Sequence, residues 1–263
     1  MGTNRVLDSR DYNDKNSVLY RGAIDKSKLF DTRPPKEENT ENQTKTDYYN
    51  LFGVMVKSIL NNSGVETMLV FIKSNVEEDV LAAIADNKTM NMPSQEVMAK
   101  TAEIIQGTDD FDYEIAFVVA TDGTTSTIIE GVNQYVELDP VYIELQNAGK
   151  TTSFDVHTHN PNVKKNPNGT ITANDHNPSG TPGGSPTGDY ANRSLQEAND
   201  DVNQPSWVIG INHIVGGVQN DKPVKIITFY NSGGQIYQMA WDNFQGLINN
   251  VTLDIIIKKL QKR

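Results

Sequence analysis

The chain has 263 residues and 37% hydrophobic content, enough to bury one good core and leave length for an appended region. Its formal net charge of -11 argues against a nucleic-acid surface, because phosphate binding needs clustered Lys and Arg. The absence of cysteine excludes disulfides and thiolate metal ligands, and no apolar run is long enough to span a membrane. A soluble protein with one main domain is expected.

Residues 1–47 form a polar N-terminal extension that ends in a run rich in Glu, Asn, Thr and Lys. Such a composition buries too little apolar surface to offset the entropy of ordering, so this segment is predicted to be a partly disordered linker. From residue 48 the pattern changes. Apolar residues recur at helical spacing from Tyr49 to Leu60, and the following Asn61-Asn-Ser-Gly64 would end that helix.

Two further helices are predicted at residues 77–85 and 94–105, the second with Ser94 as its N-cap and Gly107 just past its end. The short apolar run Met68–Ile72 fits either a strand or a buried helix. Residues 48–109 are therefore predicted to be a helical region that packs on the main domain.

Residues 110–263 are predicted to be the main domain, ending in a C-terminal helix with basic residues in its last turn. Strands are expected at 113–120, 124–129, 151–156, 206–211, 224–230 and 235–239, a helix at 190–198, and a helix or irregular crossover at 139–149. Asp122-Gly123 is a strong hairpin signal between the first two strands. Strands interleaved with helices predict an α/β fold, a mixed sheet flanked by helices.

The best clue to function is Asp155-Val-His-Thr-His159, at the end of a β-prone run. Alternate side chains of a strand point to the same face, so His157 and His159 would project together within reach of one ion. A loop of nearly thirty residues, 160–188, follows this strand, and loops of that length inside a compact domain are usually functional or disordered. Asp189, just after the loop, could supply a third ligand.

An upstream glutamate, His-x-His after a strand, and a downstream Ser and Asp at the start of a helix resemble the signature of the JAB1/MPN/Mov34 (JAMM) metalloenzymes. The chain is similar to the divergent bacterial JAB-like domains of polymorphic toxins, over about residues 110–240. The resemblance implies a sandwich of the JAB/MPN and cytidine-deaminase-like type. It also implies a catalytic zinc held by His157, His159 and Asp189.

The same resemblance implies a glutamate as general base and a hydroxyl for the oxyanion. Glu114, at the start of the first hairpin strand, is the favoured base, and Glu130, at the end of the second, is the alternative. Ser185 is separated from Asp189 by three residues where the family has two, so Ser185 and Thr187 both remain candidates for the hydroxyl.

The implied function is a zinc metallopeptidase or isopeptidase, with a protein or peptide as substrate. Similarity to toxin-borne domains adds delivery from a bacterial cell and an immunity or carrier protein as partner. The alternatives are an inactive binding module with the same fold and a metal-dependent hydrolase of another bond, such as a phosphoester. The presence of all three candidate ligands favours the enzyme.

Overall fold

A computed structural model describes residues 44–61, 64–107, 113–132, 135–159, 164–165, 167, 171–172, 177–183, 187–200, 204–215 and 218–261. The chain divides into residues 1–43 and a unit from Thr44 to Arg263. The predicted linker therefore lies almost entirely outside the described residues. In the described part the architecture is mixed α/β, with mixed sheets and five helices, as the sequence predicts.

The strands are β1 (Thr44–Tyr49), β2 (Met55–Asn61), β3 (Thr67–Val70), β4 (Thr89–Asn91), β5 (Ile115–Ala120), β6 (Ile129–Glu130), β7 (Thr152–Thr158), β8 (Lys164–Lys165), β9 (Ile171–Thr172), β10 (Ser206–Val215), β11 (Val218–Asn231) and β12 (Gly234–Ala240). The helices are α1 (Glu77–Ala85), α2 (Gln95–Gly107), α3 (Asp139–Asn147), α4 (Asp189–Asp200) and α5 (Trp241–Gln261). No helix in the described part of the chain is both long and apolar enough to cross a membrane.

The main sheet has six strands in the order β12-β11-β10-β7-β5-β6. Only β7 and β10 pair in parallel, and the other neighbours are antiparallel. The histidine strand β7 is therefore central, between β5 and β10. A second sheet has the order β2-β1-β3-β4, and β8 pairs with β9 inside the long loop, where the sequence predicts no regular structure.

The predicted helix from Tyr49 to Leu60 is wrong, because this segment forms β1, a turn and β2. Gly53 adopts a left-handed φ of 73° in the turn, and the side chain of Asn50 accepts hydrogen bonds from the backbone of Phe52 and Val54. The apolar spacing was compatible with a helix, but the Asn and Gly fix a turn inside it. The helices predicted at 77–85, 94–105 and 190–198 are confirmed as α1, α2 and α4, and residues 139–149, for which a helix and an irregular crossover were both open, contain the helix α3.

The large core lies on one face of the main sheet, under α2, α5 and the four-stranded sheet. Its centre is aromatic: Trp207 stacks on Phe154 at 5.2 Å between ring centroids and meets Phe244 edge-on at 5.5 Å. On the opposite face α3 packs on β5 through Val141 and Leu145. This second face is the one that carries the histidines.

Replacing Phe244 with Ala should lower the free energy of unfolding by about 3–5 kcal/mol, because a fully buried ring leaves a cavity among Trp207 and Phe229. The matched control is Leu260→Ala on the same helix, where the side chain is exposed and about 0.5 kcal/mol or less is expected. Urea unfolding followed by circular dichroism measures both. Equal losses for the two variants would contradict the placement of α5.

Candidate metal centre

Strict alternation along β7 separates the core from the candidate site. Phe154 and Val156 point into the aromatic core, so Asp155 and His157 point to the other face, and His159 follows directly after the strand. Both histidine side chains are almost fully buried, with 4% and 5% exposed, while Asp189 retains 16%. The strand thus presents its two imidazoles in a sheltered position that is open on the Asp189 side.

The side chains of His157, His159 and Asp189 converge at one point, as the sequence predicts. The Nε2 atoms of the two histidines are 3.3 Å apart. One carboxylate oxygen of Asp189 lies 3.1 Å from Nε2 of His159, and the other lies 3.5 Å from Nε2 of His157. Among the described residues, these three form the group of potential ligands close enough to share a metal ion.

These separations fit a metal ion with a tetrahedral preference. With zinc–nitrogen and zinc–oxygen distances of about 2.0–2.1 Å, tetrahedral ligand atoms are about 3.3 Å from one another. The 3.3 Å between the two imidazole nitrogens matches that value. Asp189 brings one carboxylate oxygen within 3.1 Å of His159 and its other oxygen within 3.5 Å of His157, and with one ligand atom per residue all three lie within 4.8 Å of one another. Two imidazole nitrogens and one carboxylate are also a donor set that suits zinc. The residues present therefore fit the ion that the resemblance implies.

Asp155 orients the first histidine. Its Oδ2 accepts a hydrogen bond from Nδ1 of His157 at 2.9 Å, so in the neutral ring the lone pair is on Nε2, which faces the other two candidate ligands. A carboxylate behind a metal-binding histidine is a recurrent arrangement, because it fixes the tautomer and makes the ring a better donor. Sequence analysis gave Asp155 no role in the metal site, although its position two residues before His157 placed it on the same strand face.

The electrostatics of the centre favour positive charge between the ligands. Burial alone would lower the pKa of His157, but the carboxylates of Asp189 and Asp155 raise it well above its usual value. Burial would raise the pKa of Asp189, but the two histidines hold it below the usual range, so this carboxylate stays ionised.

Asp189 is the first residue of α4, and a reciprocal pair of hydrogen bonds with Ser179 fixes it there. The backbone N–H of Ser179 donates to Oδ2 of Asp189 at 2.6 Å, and the backbone N–H of Asp189 donates to Oγ of Ser179 at 3.0 Å. Gly188, with φ of 93°, allows this close approach, since a Cβ there would lie 2.8 Å from Oγ of Ser179. Ser179 was missed from the sequence because it lies ten residues ahead of Asp189, at no spacing that marks a cap.

A buried polar network connects α4 to the back of the centre. Oγ of Ser206 donates to Oδ1 of Asp155 at 2.6 Å, and Nη1 of Arg193 donates to Oγ of Ser206 at 3.3 Å. Nε of Arg193 donates to Glu197 at 2.8 Å, one turn further along α4. The helix that supplies Asp189 therefore also supports Asp155 and, through it, His157.

Strand register distinguishes the two candidate glutamates. Ala116 is opposite His157, and Ile115 is opposite Glu130. Because adjacent residues of β5 point to opposite faces, Glu130 lies on the face away from the histidines, where it is exposed and accepts a hydrogen bond from Tyr113. Glu114, two residues before Ala116, lies on the histidine face by the same alternation, and its carbonyl accepts from Gly131 at 2.7 Å, which continues the ladder with β6.

Glu114 as a residue is half-buried, and it is not one of the three clustered ligands. Of the two candidate hydroxyl residues, Thr187 is exposed just before α4, and Ser185 lies outside the described residues. The structure thus brings together the three predicted metal ligands, and the alternation of β5, extended by one residue, puts Glu114 on their face of the sheet.

No protein-family model, curated protein or solved structure gave a significant match to this chain. The class assigned here, a mixed α/β protein with a His-His-Asp candidate metal centre, rests on the sequence and the geometry above.

Metal content should depend on Asp189 and not on acidic residues at helix starts in general. Protein purified without chelator should contain about one zinc per chain, and Asp189→Ala should lose it, because two imidazoles alone hold zinc weakly. Asp139→Ala is the matched control, since Asp139 is also the first residue of a helix, α3. Atomic emission gives the stoichiometry. Full zinc content in Asp189→Ala would contradict the ligand assignment.

Asp155→Asn should weaken zinc binding by about 10–100-fold without abolishing it, because the amide keeps the hydrogen bond to His157 but loses the negative charge. Competition with a chromophoric chelator measures the affinity. Asp242→Asn, at an exposed position in the first turn of α5, should leave the affinity unchanged. An unchanged zinc affinity in Asp155→Asn would contradict the proposal that Asp155 orients His157.

Proposed function

We propose that this chain is a zinc-dependent hydrolase of JAMM type that cleaves a peptide or isopeptide bond. The observation that carries the proposal is the convergence of His157, His159 and Asp189. Extending the alternation of β5 back by one residue puts Glu114 on the same face of the sheet. Three protein ligands with room for one more are typical of catalytic zinc, whereas structural zinc is closed by four.

The ion, when bound, would lower the pKa of a water molecule and polarise the substrate carbonyl. The chain's own residues would do the rest. Asp155 keeps the Nε2 lone pair of His157 directed at the centre, and Ser179 keeps Asp189 in place. Burial of both imidazoles excludes competing water from the ligand side and strengthens the local electrostatic interactions.

Glu114 would perform the proton transfers. Its carboxylate takes a proton from the attacking water as the new carbon–oxygen bond forms, and returns it to the leaving nitrogen as the carbon–nitrogen bond breaks. Amines are poor leaving groups unless protonated, so one carboxylate serves both steps. A hydroxyl from Ser185 or Thr187 would donate to the developing oxyanion, the role that the family resemblance assigns to a serine.

The resemblance to toxin-borne JAB domains extends the proposal to its setting. In that setting the chain would act on a protein substrate after delivery from a bacterial cell, and an immunity or carrier protein would bind it before then. This part rests on similarity of the motif alone.

Glu114→Gln should keep stoichiometric zinc and lose hydrolysis by at least about 100-fold, since an amide cannot carry the proton. Glu130→Gln is the matched control, because Glu130 pairs with the same strand but faces the opposite side. Cleavage of a defined peptide mixture and of isopeptide-linked conjugates, read by mass spectrometry, provides the measurement.

Loss of activity in Glu130→Gln with full activity in Glu114→Gln would reverse the assignment. Zinc-loaded wild-type protein that cleaves no bond in either substrate set would favour the binding module of the same fold.

A further inference from the structure

A groove runs along the histidine strand between two helices. On this face α3 covers β5 through Val141 and Leu145, and α4 covers β10 and β11 through Tyr190, which packs with Val208 and Tyr230. Since β7 lies between β5 and β10 in the sheet, the space between α3 and α4 follows β7. The end of that strand carries His157 and His159.

Both helices begin at the metal end of the groove. α4 starts with the ligand Asp189, and α3 is separated from the start of β7 by only residues 148–151, so α3 runs antiparallel to β7. Helical spacing continues from Asp189 to Asn192 and then to Leu195 and Gln196, so these residues form one stripe on α4. The stripe leads from the metal centre along the groove wall.

The groove has a volume of about 310 Å³, and about half of its wall is apolar. Val136, Leu138 and Tyr142 form one side, and Leu195 forms part of the other. The side-chain amide of Gln196 donates to the hydroxyl of Tyr142, so two lining residues join the two helices. Leu195 is 64% exposed, so its side chain in the groove wall is accessible to a ligand.

Polar groups at the same place restrict what the groove accepts. Asp139, at the first residue of α3, contributes to the lining, and the chain as a whole carries a formal charge of -11. Both disfavour an acidic side chain. Asn192 adds an amide to the wall nearest Asp189, and an amide can both donate to and accept from a peptide main chain.

We propose that this groove, named here the α3–α4 groove, is a substrate subsite that binds an apolar side chain of the peptide near the hydrolysed bond. The inference rests on the proposed function, because the substrate must be a peptide. Leu195 is six residues beyond Asp189, a rise of about 9 Å along α4. Two residues of extended peptide span about 7 Å, so the side chain recognised belongs to the second residue from the bond.

The test uses N-acetyl-X-glycine hydroxamates with X as Leu, Gly or Asp, in which the hydroxamate is a zinc-binding group and X is the second residue. Isothermal titration of the zinc-loaded protein gives each affinity without turnover. The Leu compound should bind at least about tenfold more tightly than the Gly compound, from burial of the side chain, and the Asp compound should bind most weakly.

Two exposed leucines on helices give a matched pair of variants. Leu195→Asp should reduce the preference for Leu over Gly to about threefold or less, while affinity for the Gly compound and zinc content stay the same. Leu253→Asp, on α5 and 57% exposed, should keep the full preference. The affinity of the Gly compound reports on the metal centre. The difference in affinity between the Leu and Gly compounds reports on the groove.

Equal binding of the Leu and Gly compounds by wild-type protein would overturn the subsite and leave the metal centre intact. A preference retained by Leu195→Asp would also overturn it. If zinc-loaded protein binds neither compound, the proposed metal function fails, and the subsite fails with it.

Discussion

The candidate site depends on one partly buried contact between a helix start and a strand end. Asp189 at the beginning of α4 meets His157 and His159 of the β7 segment, with one carboxylate oxygen 3.1 Å from Nε2 of His159 and the other 3.5 Å from Nε2 of His157. The six-stranded sheet fixes the positions of the imidazoles, because β7 is a central strand that is hydrogen-bonded to β5 on one edge and to β10 on the other. Ser179 fixes the carboxylate from the loop side. Without the helix start the two histidines would be an incomplete ligand pair on a sheet face.

Burying the polar network behind the ligands costs the folded state stability. Asp155 and Arg193 are almost completely buried, and buried charges destabilise a fold unless they are paired and hydrogen-bonded. Here Ser206 bridges them, and Glu197 pairs with the arginine. Apolar residues could fill this space, so the choice of charged ones is consistent with a functional demand on the orientation of His157.

Much of the site could be predicted because its signals are local. Alternation along a strand is enough to place His157 and His159 together, and Asp189 stands at a recognisable helix start after a loop. The choice between Glu114 and Glu130 as candidate general base needs the strand register, because both residues belong to the same predicted hairpin. The opposite faces of the two residues follow from pairing, which one sequence does not show.

Other parts escaped prediction because they depend on contacts between distant residues. Asp155 and Ser206 are 51 positions apart, and Ser153, whose carbonyl accepts from Arg193, is 40 positions from it. The α3–α4 groove likewise requires knowing which strands each helix covers. The helix prediction for Tyr49 to Leu60 was wrong for a local reason. The apolar spacing of this segment fits a helix, but Asn50 and Gly53 impose a turn between two strands.

The central claim is that His157, His159 and Asp189 hold one zinc ion with a position left for water. X-ray absorption at the zinc edge of the loaded protein tests it most directly, because imidazole rings give a distinctive outer-shell scattering pattern. About four nitrogen or oxygen neighbours are expected at about 2.0–2.1 Å, two of them from imidazole, with loss of one imidazole in His159→Ala. A spectrum without imidazole scattering, or one unchanged in that variant, would contradict it.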